Sequence, residues 1–253
     1  MRVPVQEASP KTIGEYIGHL LDKGLTPKTI NCHLDSIRGF YHYLRREEDL
    51  DIVNPVKRGY ALRLPRPLPR YLKDDEVDRF LSIPKKARDK AMFYLMLRCG
   101  LRVEEVARLS VSDIDFRGGK ILVQGKGAKD RVVYISKDAY HALLQYLKAR
   151  RLDRAKGVFL VEKGHFKGKP ISVRGIQKRM EYYANKAGIK ISCHQLRHTM
   201  ATQMLNADAE LVTIQDLLGH SRIKTTEQYS KVSNLKVQRD YYKAMEIILE
   251  KST

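Results

Sequence analysis

The sequence predicts a mainly α protein in two parts, with a small β-hairpin or sheet set into the second. Three observations predict it. Apolar residues recur at helical spacing along most of the chain, one glycine-centred stretch is β-rich, and a proline- and arginine-rich stretch near residue 60 interrupts both patterns. With 253 residues, 43% apolar and 30% charged, the chain suits one large domain or two small ones and has a globular composition.

Ile13, Tyr16, Ile17, Leu20 and Leu21 form one apolar helical stripe, and Ile30, Leu34, Ile37, Phe40, Tyr41 and Leu44 form another, so residues 9–46 read as a helical hairpin. Ser9-Pro10 and Thr26-Pro27 each place a capping hydroxyl before a proline at the first helical position, and Gly24 separates the two helices. The stretch 54–70 holds four prolines and five basic residues without an apolar period, the composition of an extended linker. The expected division is therefore a small helical domain over 1–66, a linker to about 70, and a larger domain over 67–253. In the larger part, 74–83, 87–98 and 102–109 read as helices, 118–136 as two strands about a glycine turn, and 137–150, 172–187, 195–206, 211–218 and 234–250 as helices again.

Charge narrows the function. Lys and Arg number 48 against 29 Asp and Glu, a net +19, and so large a surplus calls for a polyanionic partner, with nucleic acid ahead of an anionic membrane. Residues 1–66 hold 11 basic and 8 acidic side chains, which leaves 37 and 21 for the rest and places +16 of the surplus there. No apolar run approaches the roughly 20 residues of a membrane span, the first residues lack the apolar stretch of a secretory signal, and Cys32, Cys99 and Cys193 show no CxxC spacing. A cytoplasmic protein with reduced thiols is expected.

Four stretches stand out: CGLRVEEV (99–106), QGKGAKDR (124–131), HQLRH (194–198) and LGHSRIKTTEQY (218–229). Their order, spacing and content resemble the tyrosine recombinase or phage integrase family, its Xer-like branch in particular, along nearly the whole chain. The resemblance implies a tyrosine-recombinase catalytic core preceded by a reduced, SAM-like helical core-binding domain. It implies site-specific recombination of double-stranded DNA through a 3′-phosphotyrosine, with no cofactor and no metal.

The resemblance assigns the roles. Arg102 and Arg197 are the clamp on the scissile phosphate, where paired guanidinium forks stabilise charge that develops on non-bridging oxygens. His194 is a general base or donor, and His220 a donor to a non-bridging oxygen. Lys126, flanked by Gly125 and Gly127 in the turn of the hairpin, is the general acid for the departing 5′ oxygen; the plainer alternative is a phosphate-binding lysine with no proton-transfer role. Tyr229 is the nucleophile, a phenol that needs surrounding cations to favour its phenolate. Glu105 orients the cluster by accepting hydrogen bonds, or is a simple helix-surface charge; Lys129 and Arg131 are expected contacts to the DNA backbone. A zinc site at His194 and His198 is disfavoured, because no Glu intervenes and no further Cys or carboxylate lies at ligand spacing.

The stretch 234–250 carries Leu235, Val237, Tyr241, Tyr242, Met245, Ile248 and Leu249 on a broadly apolar face. By resemblance it docks into a neighbouring protomer, linking four subunits around two duplexes, although a helix packed within its own chain would look the same. Related recombinases carry a larger helical unit ahead of the linker, of which only the second half is evident here; this shortening inclines the reading toward a mobile-element enzyme acting at the nucleoid. Two rivals remain: a type IB topoisomerase-like enzyme, which uses the same tyrosine chemistry to relax DNA, and a catalytically silent DNA-binding protein. A metal-dependent nuclease would need a carboxylate cluster that the sequence does not display.

Overall fold

The computed structural model describes residues 3–64, 70–125, 130–150 and 155–219. The chain divides into two compact units, Met1–Pro67 and Leu68–Thr253.

In the first unit, α1 (Pro10–Asp22) starts at a reciprocal cap: Ser9 Oγ accepts from the Thr12 N–H at 3.3 Å, and Thr12 Oγ1 accepts from the Ser9 N–H at 3.3 Å. Thr26 caps α2 (Pro27–Arg46) through the Thr29 N–H at 3.3 Å. Ile13, Leu20, Ile30 and Leu34 are buried between the helices. The stretch expected to begin an extended linker at 54 is instead docked on this hairpin as far as Leu62. Val56 joins its core, Tyr60 and Leu62 pack against it, and Asn31 holds Leu62 at both main-chain groups, at 2.9 and 2.8 Å. Tyr60 adds a hydroxyl bond to the Pro10 carbonyl at 3.0 Å. A side-chain amide that pairs a passing main chain in this way leaves no periodic signal in the sequence.

The second unit is built around α4 (Ala87–Arg98), whose Ala91, Met92, Phe93, Leu95 and Met96 are all fully buried. A helix apolar on every side must be enclosed. Against it pack α3 (Asp74–Ser82), α5 (Val103–Arg108), α6 (Lys137–Ala149) and α8 (Cys193–Asn206). The remaining described α-helices are α7 (Val173–Ala187), which packs on α3 and α5, and α9 (Leu211–Leu218), which packs on α8 over Met200, Ala201, Leu205 and Ile214.

The expected hairpin is present as β2 (Lys120–Val123) and β3 (Arg131–Tyr134), paired antiparallel with Ile121 opposite Val133 on the buried face. A two-residue strand, β1 (Ile114–Asp115), extends it to a three-stranded sheet in the order β1-β2-β3. Strands this short lie below the length at which alternation can be read. Asp89 on α4, fully buried, ties α4 to α7: it accepts from Arg88 and Arg179 and from the Tyr183 hydroxyl. No described helix is long and apolar enough to cross a membrane.

Candidate active site

The site begins where α4 ends. Gly100 has φ +65°, and a Cβ there would stand 3.1 Å from Leu218 Cδ2 and 3.2 Å from Met200 Sδ, so the glycine serves both the turn and the close approach of α8 and α9. The turn delivers Arg102 to the N-cap of α5, one residue outside the helix expected to start with it. Glu105, in the first turn, reaches back to the Arg102 main-chain N–H at 2.7 Å and the Arg102 guanidinium at 2.9 Å. The arginine is thereby oriented while 39% of its side chain stays exposed.

Helix α8 starts two residues earlier than expected, at Cys193. The Ser192 N–H donates to Gln195 Oε1 at 2.7 Å, and this cap sets His194 in the first turn. Arg197 lies one turn on, only 2% exposed, and donates to the Gly100 and Leu218 carbonyls. Arg102, His194 and Arg197 line one cavity of about 630 Å³, which Arg174, Gln177 and Glu181 of α7 also line. Those α7 residues had no signal in the sequence, because exposed polar side chains on an amphipathic helix read as a solvated face.

The electrostatics suit an anion. Burial pushes the Glu105 carboxyl upward, but hydrogen bonds from Arg131, the Arg102 main chain and the Arg102 guanidinium outweigh it and hold the group at about 2. Glu105 is therefore ionised, and its charge is directed at arginines. Burial, then Arg197 and Arg102, lower the His194 pKa, which favours the neutral imidazole. The His194 and His198 rings pack edge to face with centroids 4.2 Å apart, and burial, His194 and Arg197 hold His198 down at about 4. Among the described residues no three His, Cys, Asp or Glu side chains cluster to hold a metal ion.

Arg131, expected to contact the DNA backbone, is occupied inside the protein instead. Only 8% of its side chain is exposed, and it donates to both Glu105 oxygens and to the Leu217 carbonyl. Lys126, Lys129, His220 and Tyr229, with the expected helix 234–250, lie outside the described residues. The flanks of two of them are described. The Gly125 N–H donates to Asp130 Oδ1 at 3.1 Å, joining the two ends of the segment that bears Lys126, and Gly219 closes α9 in the left-handed conformation immediately before His220 in the sequence.

A mostly helical unit in which Arg102, His194 and Arg197 line one open cavity has the cationic and hydrogen-bonding groups of a protein that holds a phosphodiester. The comparisons specify the class. The phage integrase family model matches residues 70–235. The chain is 36% identical to tyrosine recombinase XerC of Pelotomaculum thermopropionicum over 90% of its own length and 78% of the relative's. It is 32% identical to tyrosine recombinase XerA of Thermococcus onnurineus over 97% and 86%. Among solved structures it resembles a XerA recombinase (TM-score 0.62, 25% identity, covering 96% of this chain and 85% of that one). In fold it also matches XerH site-specific recombinase bound to a palindromic difH substrate (TM-score 0.77, 21% identity, 92% and 72%). The chain belongs to the phage integrase family and is a tyrosine-type DNA recombinase. None of these comparisons supports the relaxing enzyme or the silent binder.

Proposed function

We propose that Arg102, Lys126, His194, Arg197, His220 and Tyr229 carry site-specific strand exchange. The Tyr229 oxygen attacks the scissile phosphorus, the bond to the 5′ oxygen breaks, and the protein is left joined to the 3′ phosphate. Lys126 supplies the proton to the departing 5′ oxygen, and His194 in its neutral form accepts or relays a proton. A 5′ hydroxyl from a second strand reverses the step. One phosphodiester is exchanged for another through the phosphotyrosine, so the chemistry balances without ATP.

The observation that carries this reading is the convergence of Arg102, His194 and Arg197 on one cavity, with Glu105 fixing Arg102. Donors held in place before the reaction stabilise charge as it develops on the non-bridging oxygens. The net charge of +19 supports a DNA partner, and XerH, a neighbour in fold, is seen bound to its difH substrate. In this reading residues 1–66 form a helical core-binding domain, 67–253 form the catalytic domain, and the apolar stretch 234–250 docks into a neighbouring protomer of a tetramer on two duplexes. The protein then works at the nucleoid.

The test is incubation of the full chain with a labelled pool of nicked, random-sequence duplexes in EDTA, followed by denaturing electrophoresis. Wild type is expected to form a covalent protein-DNA adduct and Tyr229→Phe none, with DNA binding retained by both. An adduct of equal yield with Tyr229→Phe overturns the assignment of the nucleophile.

A further inference from the structure

We propose that Arg131 is a positioning residue for DNA cleavage, a clamp that joins the three segments bearing Arg102, Lys126 and His220; the inference rests on the reading of the site given above. Arg131 Nη1 and Nη2 donate in parallel to Glu105 Oε1 and Oε2, each at 2.8 Å, and Glu105 is the carboxylate that holds Arg102. Arg131 Nε donates to the Leu217 carbonyl at 2.8 Å, in the last turn of α9, which Gly219 closes immediately before His220 in the sequence. Arg131 is also the first residue of β3, paired with Val123, and so stands at the end of the segment 124–130 that bears Lys126.

The stem is fitted as closely as the head. A Cβ on Gly219 would stand 2.9 Å from Arg131 Cδ and 3.3 Å from Nε, so the missing side chain of Gly219 leaves the space through which Arg131 passes. Leu217 and Leu218 give their main-chain carbonyls to Arg131 and Arg197 respectively. Helix carbonyls in a last turn lack intrahelical partners and attract cations, so these two guanidinium groups fix both the direction and the position of the chain as it leaves α9.

Arginine is needed here for its shape. A planar fork can serve a carboxylate and a carbonyl together, whereas a lysine ammonium in the same place is a single point of charge. A phosphate contact, the role first expected of Arg131, fits this geometry poorly. Both of its terminal nitrogens are taken by the Glu105 carboxylate, which matches its charge at contact distance, and unlike Arg197 it does not line the cavity.

The experiment uses a nicked duplex whose sequence is recovered from the wild-type adduct. The full chain is compared with Arg131→Lys and Arg131→Gln, with wild type and Tyr229→Phe run alongside. Three quantities are read: DNA affinity across a salt series, the single-turnover rate of adduct formation at saturating protein, and the melting temperature. Both variants are expected to bind with wild-type affinity and salt slope while adduct formation slows about tenfold to a hundredfold, the scale of a misplaced reacting group. The slowing is expected to shrink in a Glu105→Gln background, because Arg131 then has no carboxylate to position. Arg131→Lys keeps the charge and guards against loss of folding in Arg131→Gln.

A lower affinity with a shallower salt slope and an unchanged saturated rate overturns the proposal in favour of a phosphate contact. A lower melting temperature with both affinity and rate unchanged overturns it in favour of a brace for stability alone. Absence of any wild-type adduct overturns the parent reading and this one with it, whereas a wild-type adduct with full-rate variants overturns this one only.

Discussion

The Arg102 guanidinium and main-chain N–H both end on the Glu105 carboxylate, at 2.9 and 2.7 Å, so one acidic side chain caps α5 and aims the arginine. Arg102 makes the exposed half of this arrangement and Arg197 the buried half. Arg102→Ala removes a preorganised donor from the cavity while taking little from the core. It is expected to slow adduct formation by about 10²- to 10³-fold with a near wild-type melting temperature. Single-turnover electrophoresis and a thermal melt check the two halves of this statement.

Acid should destabilise the protein in two stages. His198 is held at about 4, below its ordinary value, so the unfolded chain binds the proton more readily, and stability falls as pH drops from about 6.5 toward 4. Glu105 is held at about 2; its contribution is complete above about pH 4.5 and is lost as pH falls through its folded value. Shifts of this size are each worth up to about 3 kcal/mol. Urea unfolding between pH 3 and 7.5 should show both limbs. His198→Asn should flatten the upper limb and Glu105→Gln the lower one.

Asp89 has zero exposure and accepts from Arg88, Arg179 and Tyr183, with Arg179 Nη2 at 2.7 Å. Asp89→Ala leaves Arg88 and Arg179 without their shared anion, at a cost of about 3–5 kcal/mol. The melting temperature is then expected to fall by about 10 °C. Arg79→Ala, which breaks the exposed pair with Asp75, should change stability by less than about 1 kcal/mol. The two melts, run together, separate a buried ionic link from a surface one.

How much of this was legible in the sequence follows from the range of each interaction. Ser9-Pro10 and Thr26-Pro27 announce α1 and α2 because caps are local, and 87–98 reads as the helix α4 because the spacing of apolar residues is local too. The pairing of Asn31 with Leu62, 31 residues apart, is not local, and a docked segment therefore read as linker. In the site, motif order located Arg102, His194 and Arg197, which the structure brings to one cavity. The same motifs gave Arg131 no more than a basic charge, since its partner Glu105 lies 26 residues away. The face of α7 was hidden for a related reason: Arg174, Gln177 and Glu181 gain meaning only from the residues with which they share the cavity.

Gly219 offers the sharpest separation of backbone strain from side-chain fit. It lies at φ +59°, where any other residue costs about 1 kcal/mol or more, and a methyl group there would press on Arg131 Cδ. Gly188, the C-cap of α7, lies at φ +66° with nothing within 4 Å of where a methyl group would stand, so Gly188→Ala meets the backbone cost alone. Both substitutions should lower the melting temperature by a few degrees, about 2–4 °C per kcal/mol. Gly219→Ala alone should also slow adduct formation, because Arg131 must give way and with it the links to Glu105 and Leu217. Equal cleavage rates in the two variants would mean that the path of Arg131 past Gly219 matters to packing but not to the reaction.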